Sequence, residues 1–302
     1  MKPNPTTEPV GIRDPEPETA VESAQTVLLI CVKFGSDTET AQYLESLRKL
    51  QGRQDLHVLV VDNTVGAEMP EPSTERNFTF IRAQKNLGYF GGARSGLSLY
   101  LREHSMPDWV IVSNVDLVIE DSQFLDKLAV LRGRPRLGSV APSIRSALTG
   151  RDQNPFLRIR PSTTRMHAYK WIFRSWLVLN AYELISALFH KLRSAARTPP
   201  GASTGAREDR GGTIYAPHGS FLIFSREYFR AGGDLDSPYF LFGEEIYLAE
   251  VLRKLRLDAV YEPSLEVIHQ EHKSTKLVKS RKLAREVASS AAFWADTYFP
   301  WK

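Results

Sequence analysis

Four runs near the start of the chain are dominated by β-branched, aromatic and other apolar residues: "TVLLICV" (Thr26–Val32), "LHVLVVD" (Leu56–Asp62), "FTFIR" (Phe78–Arg82) and "WVIVS" (Trp109–Ser113). A strand with one wet face alternates apolar and polar residues, whereas a nearly continuous apolar run must be covered on both faces. Helical patterns lie between them, from Ser36 to Leu50 and from Leu87 to Arg102. Strands alternating with helices predict an α/β fold, with a parallel sheet between two helical layers. Ligands of such sheets gather beyond the carboxyl ends of the strands. Asp62, Asn63, Asn86, Asn114 and Asp116 stand just past those ends.

With 302 residues the chain can bury one large core or two small ones. The single cysteine, Cys31, lies inside the first apolar run, which excludes an intrachain disulfide and predicts a buried strand residue in a reducing compartment. The first two dozen residues carry five prolines and five acids, lack the basic start and apolar core of a signal peptide, and read as a disordered tail over 1–24.

Charge is distributed unevenly. Between Arg145 and Arg210 there are twelve basic and four acidic residues, so this segment supplies the whole basic excess of a chain whose net charge is +4. It also holds "WIFRSWLVLNAYELISALFHKL" (Trp171–Leu192), a mostly apolar stretch interrupted by Arg174, Glu183, His190 and Lys191. Those charges argue against a spanning helix. Two tryptophans and flanking arginines suit an amphipathic helix in a membrane interface; a helix packed on the protein's own core fits the same pattern. Apolar residues beside the charges favour anionic lipid over nucleic acid as the partner of this segment. Arg197–Gly212 reads as a loop. Beyond it come a strand, "SFLIFS" (Ser220–Ser225), a helix from Glu244 to Arg256, short strands within Asp258–Ser274, and an amphipathic helix over Leu277–Tyr298. The predicted organisation is therefore a tail (1–24), a first half (25–144), a basic amphipathic insertion (145–212) and a second half (213–302).

Three stretches carry candidate chemistry. "QKNLGYFGGARSGL" (Gln84–Leu97) brings Gly88, Gly91, Gly92 and Gly96 to the start of a helix, but not at the dinucleotide spacing G-x-G-x-x-G. "NVD" (Asn114–Asp116) follows a buried strand and offers a carboxylate to a hard cation, which takes one or two carboxylates and fills its shell with phosphate and water. An ordinary turn aspartate fits it as well. Asp121 reads as the N-cap of a helix from Ser122. "YFLFGEEIYLAEVLRK" leads aromatic residues into Glu244 and Glu245 at a helix start. The helix dipole favours acids there, while the apolar approach would raise a carboxylate toward general-base duty. Adjacent helical residues diverge by about 100°, so the two glutamates cannot share one role. His269 and His272 in "EVIHQEHKS" have no cysteine or further histidine cluster to complete a zinc site.

Taken together, "TVLLICVKFGSDTETAQYLESL", "VVDNTVG", "NLGYFGG", "NVD", "HGSFLIF", "YFLFGEEIYLAEVLRK" and "HQEHKS" stand in an order and spacing that resembles the family 2 glycosyltransferases of GT-A fold, especially the branch that builds bacterial surface polysaccharides. The resemblance runs from about Thr26 to Ser274. It implies a Rossmann-like, mostly parallel sheet and a site for a nucleoside-diphosphate sugar. By resemblance, Phe34 lies beside the base, Asp62 accepts a hydrogen bond from it, and Asn63, Asn86, Gly88 and Asn114 line the pocket. Asp116 carries a divalent metal, Mg²⁺ or Mn²⁺, with His269 close to the same diphosphate. Glu245 aligns with the catalytic base, and His218, Gly219 and Glu244 lie on the acceptor side. Glu245 stands where the family commonly has Asp, and Arg94 where it often has Asn. Arg94 is read equally as a partner of the diphosphate or as a solvent-facing helix residue.

A sugar-nucleotide pyrophosphorylase would need a Gly- and Arg-containing loop after the first strand, which "KFGSDTET" lacks. A degenerate relative that binds membrane or glycan remains the alternative. The expected function is an inverting glycosyltransferase on the cytoplasmic face of the membrane. Its donor is a nucleoside-diphosphate sugar, with rhamnose on a thymidine carrier the sugar implied by the branch, and its acceptor a glycan that is lipid-linked.

Overall fold

The computed structural model describes residues 25–35, 37–52, 55–66, 77–175, 211–240, 242–271 and 281–301. The predicted tail, most of Trp171–Leu192, nearly all of the loop that follows, and His272 lie outside these residues.

The first half follows the sequence pattern closely. Strands β1 (Val27–Lys33), β2 (Leu56–Asp62), β3 (Phe78–Arg82) and β4 (Trp109–Ser113) pair in parallel in the order β3-β2-β1-β4. Their apolar runs are continuous because both faces are covered. Along β1, Val27, Leu29 and Cys31 enter the core under helices α1 (Asp37–Arg48) and α3 (Phe124–Ala129), whereas Leu28, Ile30 and Val32 enter the core under α2 (Tyr89–Tyr100). Cys31 is fully buried, and burial pushes its thiol up to about 12, as befits an inert packing residue.

The glycines of the α2 segment belong largely to this packing. A Cβ on Gly96 would lie 2.9 Å from Ile30 Cγ2, and one on Gly92 3.0 Å from Val32 Cγ1. Spaced one turn apart, they let α2 approach β1 and β2 more closely than any side chain would permit.

The second half is joined to the first by antiparallel pairing. Strand β8 (Phe221–Ser225) runs antiparallel to β4 and to β6 (Leu137–Ser146), and β6 runs parallel to β9 (Asp258–His269). Two short strands, β5 (Leu117–Val118) and β7 (Gly212–Ile214), pair antiparallel with β9. Helices α5 (Arg226–Arg230), α6 (Glu244–Leu255) and α7 (Arg281–Tyr298) complete it, α6 and α7 packing on the α2 side.

Several elements differ from the sequence reading. β6 was not expected, because "LGSVAPSIRS" contains breakers; in place, Gly138 admits Leu252 and Leu257, and Pro142 sits at a register shift against β9 where a ladder N–H is dispensable. The short strands expected after Asp258 are one strand of twelve residues. The helix after Asp121 starts at Phe124, although the Asp121 carboxylate still accepts from the Gln123 N–H at 3.0 Å.

The insertion is also anchored differently. β6 crosses its predicted start and runs to Ser146. Helix α4 (Thr163–Arg174) is capped by the Ser162 hydroxyl and ends at Ser175, whose backbone is extended, so no single helix runs on from Trp171. α4 packs along α7: His167 Nε2 meets the Phe299 carbonyl at 2.9 Å and Lys170 pairs with Asp296 at 2.7 Å. Arg160 pairs with the buried Glu250 at 2.6 Å and covers the Phe299 ring. Part of the segment's basic charge is thus spent inside the protein. Trp171 remains exposed.

Candidate active site

On the first-half side, the carboxyl ends of β1 and β2 present a rigid polar cluster. Phe34 follows β1 and is 66% exposed, free to face a planar ligand. Asp62, buried at the end of β2, spends both oxygens within the chain: Lys33 Nζ donates at 2.9 Å, Thr64 N–H at 2.8 Å, and Arg82 lies at 3.6 Å. Burial alone would raise its pKa, but the Thr64 and Lys33 hydrogen bonds outweigh it and hold the carboxyl below the ordinary range. A base seeking Asp62 would have to share it with these donors.

Asn63 is buried as well and ties the glycine loop down. Its amide donates to the Gly88 carbonyl at 2.9 Å, and its oxygen accepts from Leu87 N–H at 3.3 Å. Asn86 accepts from Gly88 N–H at 2.9 Å, closing an Asx turn. Gly88 itself has φ +75°, and a Cβ there would fall 2.2 Å from the Phe240 carbonyl oxygen. Only glycine fits, because the loop that leads into α6 rests on it. Arg94 pairs with Asp236 on the surface, a tie between α2 and that same second-half loop.

The NVD turn is positioned by β5. Pairing of Leu117 with His269 and donation from Gln270 N–H to the Asp116 carbonyl at 2.9 Å bring the turn against the end of β9. Asp116 Oδ2 then lies 3.1 Å from His269 Nε2. On the far side of the ring, Gln153 Nε2 donates to Glu271 Oε1 at 2.6 Å, which turns its oxygen toward His269 Nδ1 at 2.7 Å. Nδ1 therefore donates to Gln153, and Nε2 faces the Asp116 carboxylate, to which it can donate; only without that proton would Nε2 offer a lone pair to a cation bound there. The Ser146 hydroxyl donates to the other Glu271 oxygen. Sequence reasoning missed Gln153, since nothing in "RDQNP" distinguishes it from an ordinary loop, and gave Glu271 no role within "HQEHKS". Among the described residues no group of three metal-ligating side chains exists. An oxygen and a nitrogen side by side do suit a hard divalent ion that draws the rest of its shell from diphosphate and water.

The residues expected on the acceptor side adjoin this turn. Asn114 N–H donates to the Ser220 carbonyl at 2.9 Å, and the rings of His218 and His269 are 6.2 Å apart. His218 is pushed down to about 4 by burial and then by His269, and its Nδ1 accepts the Ser220 N–H at 3.3 Å, so the ring is neutral. Gly219 N–H donates to Glu245 Oε1 at 3.2 Å, and a Cβ on Gly219 would reach within 2.7 Å of that oxygen. Asp116, His269, His218, Gly219 and Glu245 thus form one contiguous path.

Glu244 and Glu245 play the separate parts that helical geometry demands. Glu244 Oε1 turns back to accept Phe242 N–H at 3.1 Å, and Glu245 turns to Gly219. Burial, then the Glu245 charge, pushes Glu244 up to about 8; burial likewise raises Glu245. Phe242, with φ +72°, holds a conformation costing about 1–2 kcal/mol for a side-chain-bearing residue. Its carbonyl accepts from Ser290 Oγ at 2.6 Å and Trp294 Nε1 at 3.4 Å, which offsets that strain and fixes the approach to both glutamates.

Comparison with known proteins agrees with this architecture. No family model matches the chain. An N-acetylglucosaminyl-diphospho-decaprenol L-rhamnosyltransferase, found in two strains of Mycobacterium tuberculosis, is 27% identical over 287 residues, 90% of this chain and 85% of the relative. Among solved structures, the mannosyltransferase PcManGT from Pyrobaculum calidifontis, in complex with GDP-Man and Mn²⁺, aligns with a TM-score of 0.50 at 15% identity, covering 90% of this chain and 70% of that one. GalNAc-T7 with UDP, GalNAc and Mn²⁺ aligns with a TM-score of 0.53 at 12% identity, covering 91% of this chain and half of its own. With similarity extending along nine-tenths of its length and the fold shared with sugar-transferring enzymes, the chain is a glycosyltransferase of GT-A fold that resembles L-rhamnosyltransferases.

Proposed function

We propose that the protein moves a sugar, rhamnose first among the candidates, from a nucleoside diphosphate to a hydroxyl of a lipid-linked glycan, with inversion, at the cytoplasmic face of a membrane. The observation that carries this reading is the contact path from Asp116 through His269, His218 and Gly219 to Glu245. It links a candidate metal ligand just past the carboxyl end of β4 to a candidate base that accepts from Gly219, just before the start of β8. The decaprenyl-linked acceptor of the mycobacterial relative supports the choice of acceptor class. No described helix is long and apolar enough to cross a membrane, and the proposed attachment is peripheral.

In this mechanism the acceptor oxygen attacks the anomeric carbon as the bond to the diphosphate breaks. Glu245 takes the hydroxyl proton at its carboxylate, and the raised proton affinity of that group matches the task. Glu244 keeps the Phe242–Gly243 turn closed behind it. Phe34 stacks on the base, and the Asn63–Gly88 contact holds the loop that lines the donor pocket. Asp116, with His269 Nε2, would hold the divalent ion, whose chemistry is to neutralise charge on the departing diphosphate. Gln153 and Glu271 keep His269 in the ligating tautomer.

A panel of nucleotide sugars with Mg²⁺ or Mn²⁺, read by nucleoside diphosphate release and by calorimetric binding, tests the proposal. dTDP-rhamnose is expected to bind and turn over. Absence of binding by every donor, with and without metal, removes it.

A further inference from the structure

Beside the two glutamates a groove of about 380 Å³ opens between α4, α7 and the start of α6. Met166 and Phe173 of α4, Val287, Ala291 and Trp294 of α7, and Phe242, directly before Gly243 and Glu244, line it. Three features set it apart from ordinary packing. Phe173 and Phe242 gather with Ala284 and Val287 in a small apolar cluster separate from the two main cores. The lining contains no acid and one cation, Arg165, whose guanidinium is met by the Tyr169 hydroxyl at 3.0 Å. The strained Phe242 turn that lines the groove also leads into the helix start that carries the candidate base.

We infer that this groove holds the first isoprene units of a lipid-linked acceptor, with Arg165 beside the diphosphate. The inference rests on the glycosyltransferase reading above and specifies the acceptor's non-sugar part. Such an acceptor is linear, from sugar to diphosphate to isoprenoid. A site for it needs the same order: a base, a cation, then an apolar channel. Arg165 and the groove supply the last two, and Gly243 and Ile246, which flank the two glutamates in the chain, line the same groove. The volume lies within the range of small-molecule clefts and is too small for a whole polyprenol, so the rest of the chain stays in the bilayer.

Calorimetry on the full chain with farnesyl diphosphate, farnesol, inorganic diphosphate and dTDP tests this. Farnesyl diphosphate is expected to bind at least tenfold more tightly than inorganic diphosphate. Ala291→Trp, which fills the groove, should lower that affinity about tenfold and leave dTDP binding unchanged. Arg165→Gln should weaken farnesyl diphosphate but not farnesol. Val287→Phe serves as a second plug if Ala291→Trp does not fold. Equal affinities for the isoprenoid and inorganic diphosphates, as when another part of the chain occupies the groove, would overturn the inference, as would plugged variants that still bind farnesyl diphosphate fully. If dTDP binds and farnesyl diphosphate does not, the groove is wrong and the enzyme reading stands. If farnesyl diphosphate binds and no nucleotide does, the reverse holds.

Discussion

The two halves of this protein build their shares of the site by opposite means. In the β1–β4 half, parallel strands that follow one another closely place polar groups at their ends, and each is locked by a partner nearby: Asp62 by Lys33 and Thr64, Asn63 by Gly88. In the β8–β6–β9 half, the groups come from distant parts of the sequence. Asp116 meets His269, Gly219 meets Glu245, and α4 meets α7. Charge in the first half is neutralised and rigid. In the second half it is concentrated at a helix start, where burial raises the proton affinity of both glutamates and the Glu245 charge adds to that of Glu244. Under the proposed function the first half would bind and the second would react, and those tasks call for these different treatments.

Substitutions can break that contrast. The largest effect is expected from Glu245→Gln, which should lower kcat by about 10²–10⁴ with donor affinity unchanged, measured by steady-state kinetics and calorimetry. Full activity would move the base elsewhere. Lys33→Met should act on stability instead. It removes the ammonium from the buried Asp62 and should cost on the order of 3 kcal/mol in urea denaturation. Gln153→Leu frees the His269 ring and should weaken Mn²⁺ binding by about 10–100-fold, followed by electron paramagnetic resonance, with the fold intact by circular dichroism.

The smallest effect sharpens the comparison by pH. Both glutamates have raised pKa values in the folded protein, so the native state keeps protons that the unfolded chain releases. Stability should therefore fall as pH rises from the ordinary glutamate range to about 8. Activity should rise with pH as Glu245, held above the ordinary glutamate range by burial, ionises. Glu245→Gln removes the charge that adds to the rise of Glu244, so the alkaline end of the stability loss should shift to lower pH. An unmoved alkaline end would show that the two carboxyls titrate independently.

The difference between the halves also governed what could be read in advance. β1 to β4 were visible because burial on both faces leaves a local mark, a run of apolar residues that needs no knowledge of the neighbours. β6 left no such mark: its glycine, proline and serines are tolerated only because Leu252, Leu257 and β9 are where they are. Asp116 and His269 could be suspected one by one, but their pairing depends on a two-residue strand too short to predict. Gln153 had no signal at all, since its importance lies in which way its amide faces.

By itself the sequence determined the parallel sheet of the first half, the burial of Cys31, and the separate directions of Glu244 and Glu245, all consequences of periodicity and side-chain size along a short stretch. Only the tertiary structure decided that β9 would carry His269 to the NVD turn, that Gln153 would set its tautomer, and that an apolar channel would open beside the glutamates. Those depend on contacts between residues far apart in the chain, and such contacts leave no period in the sequence to be read.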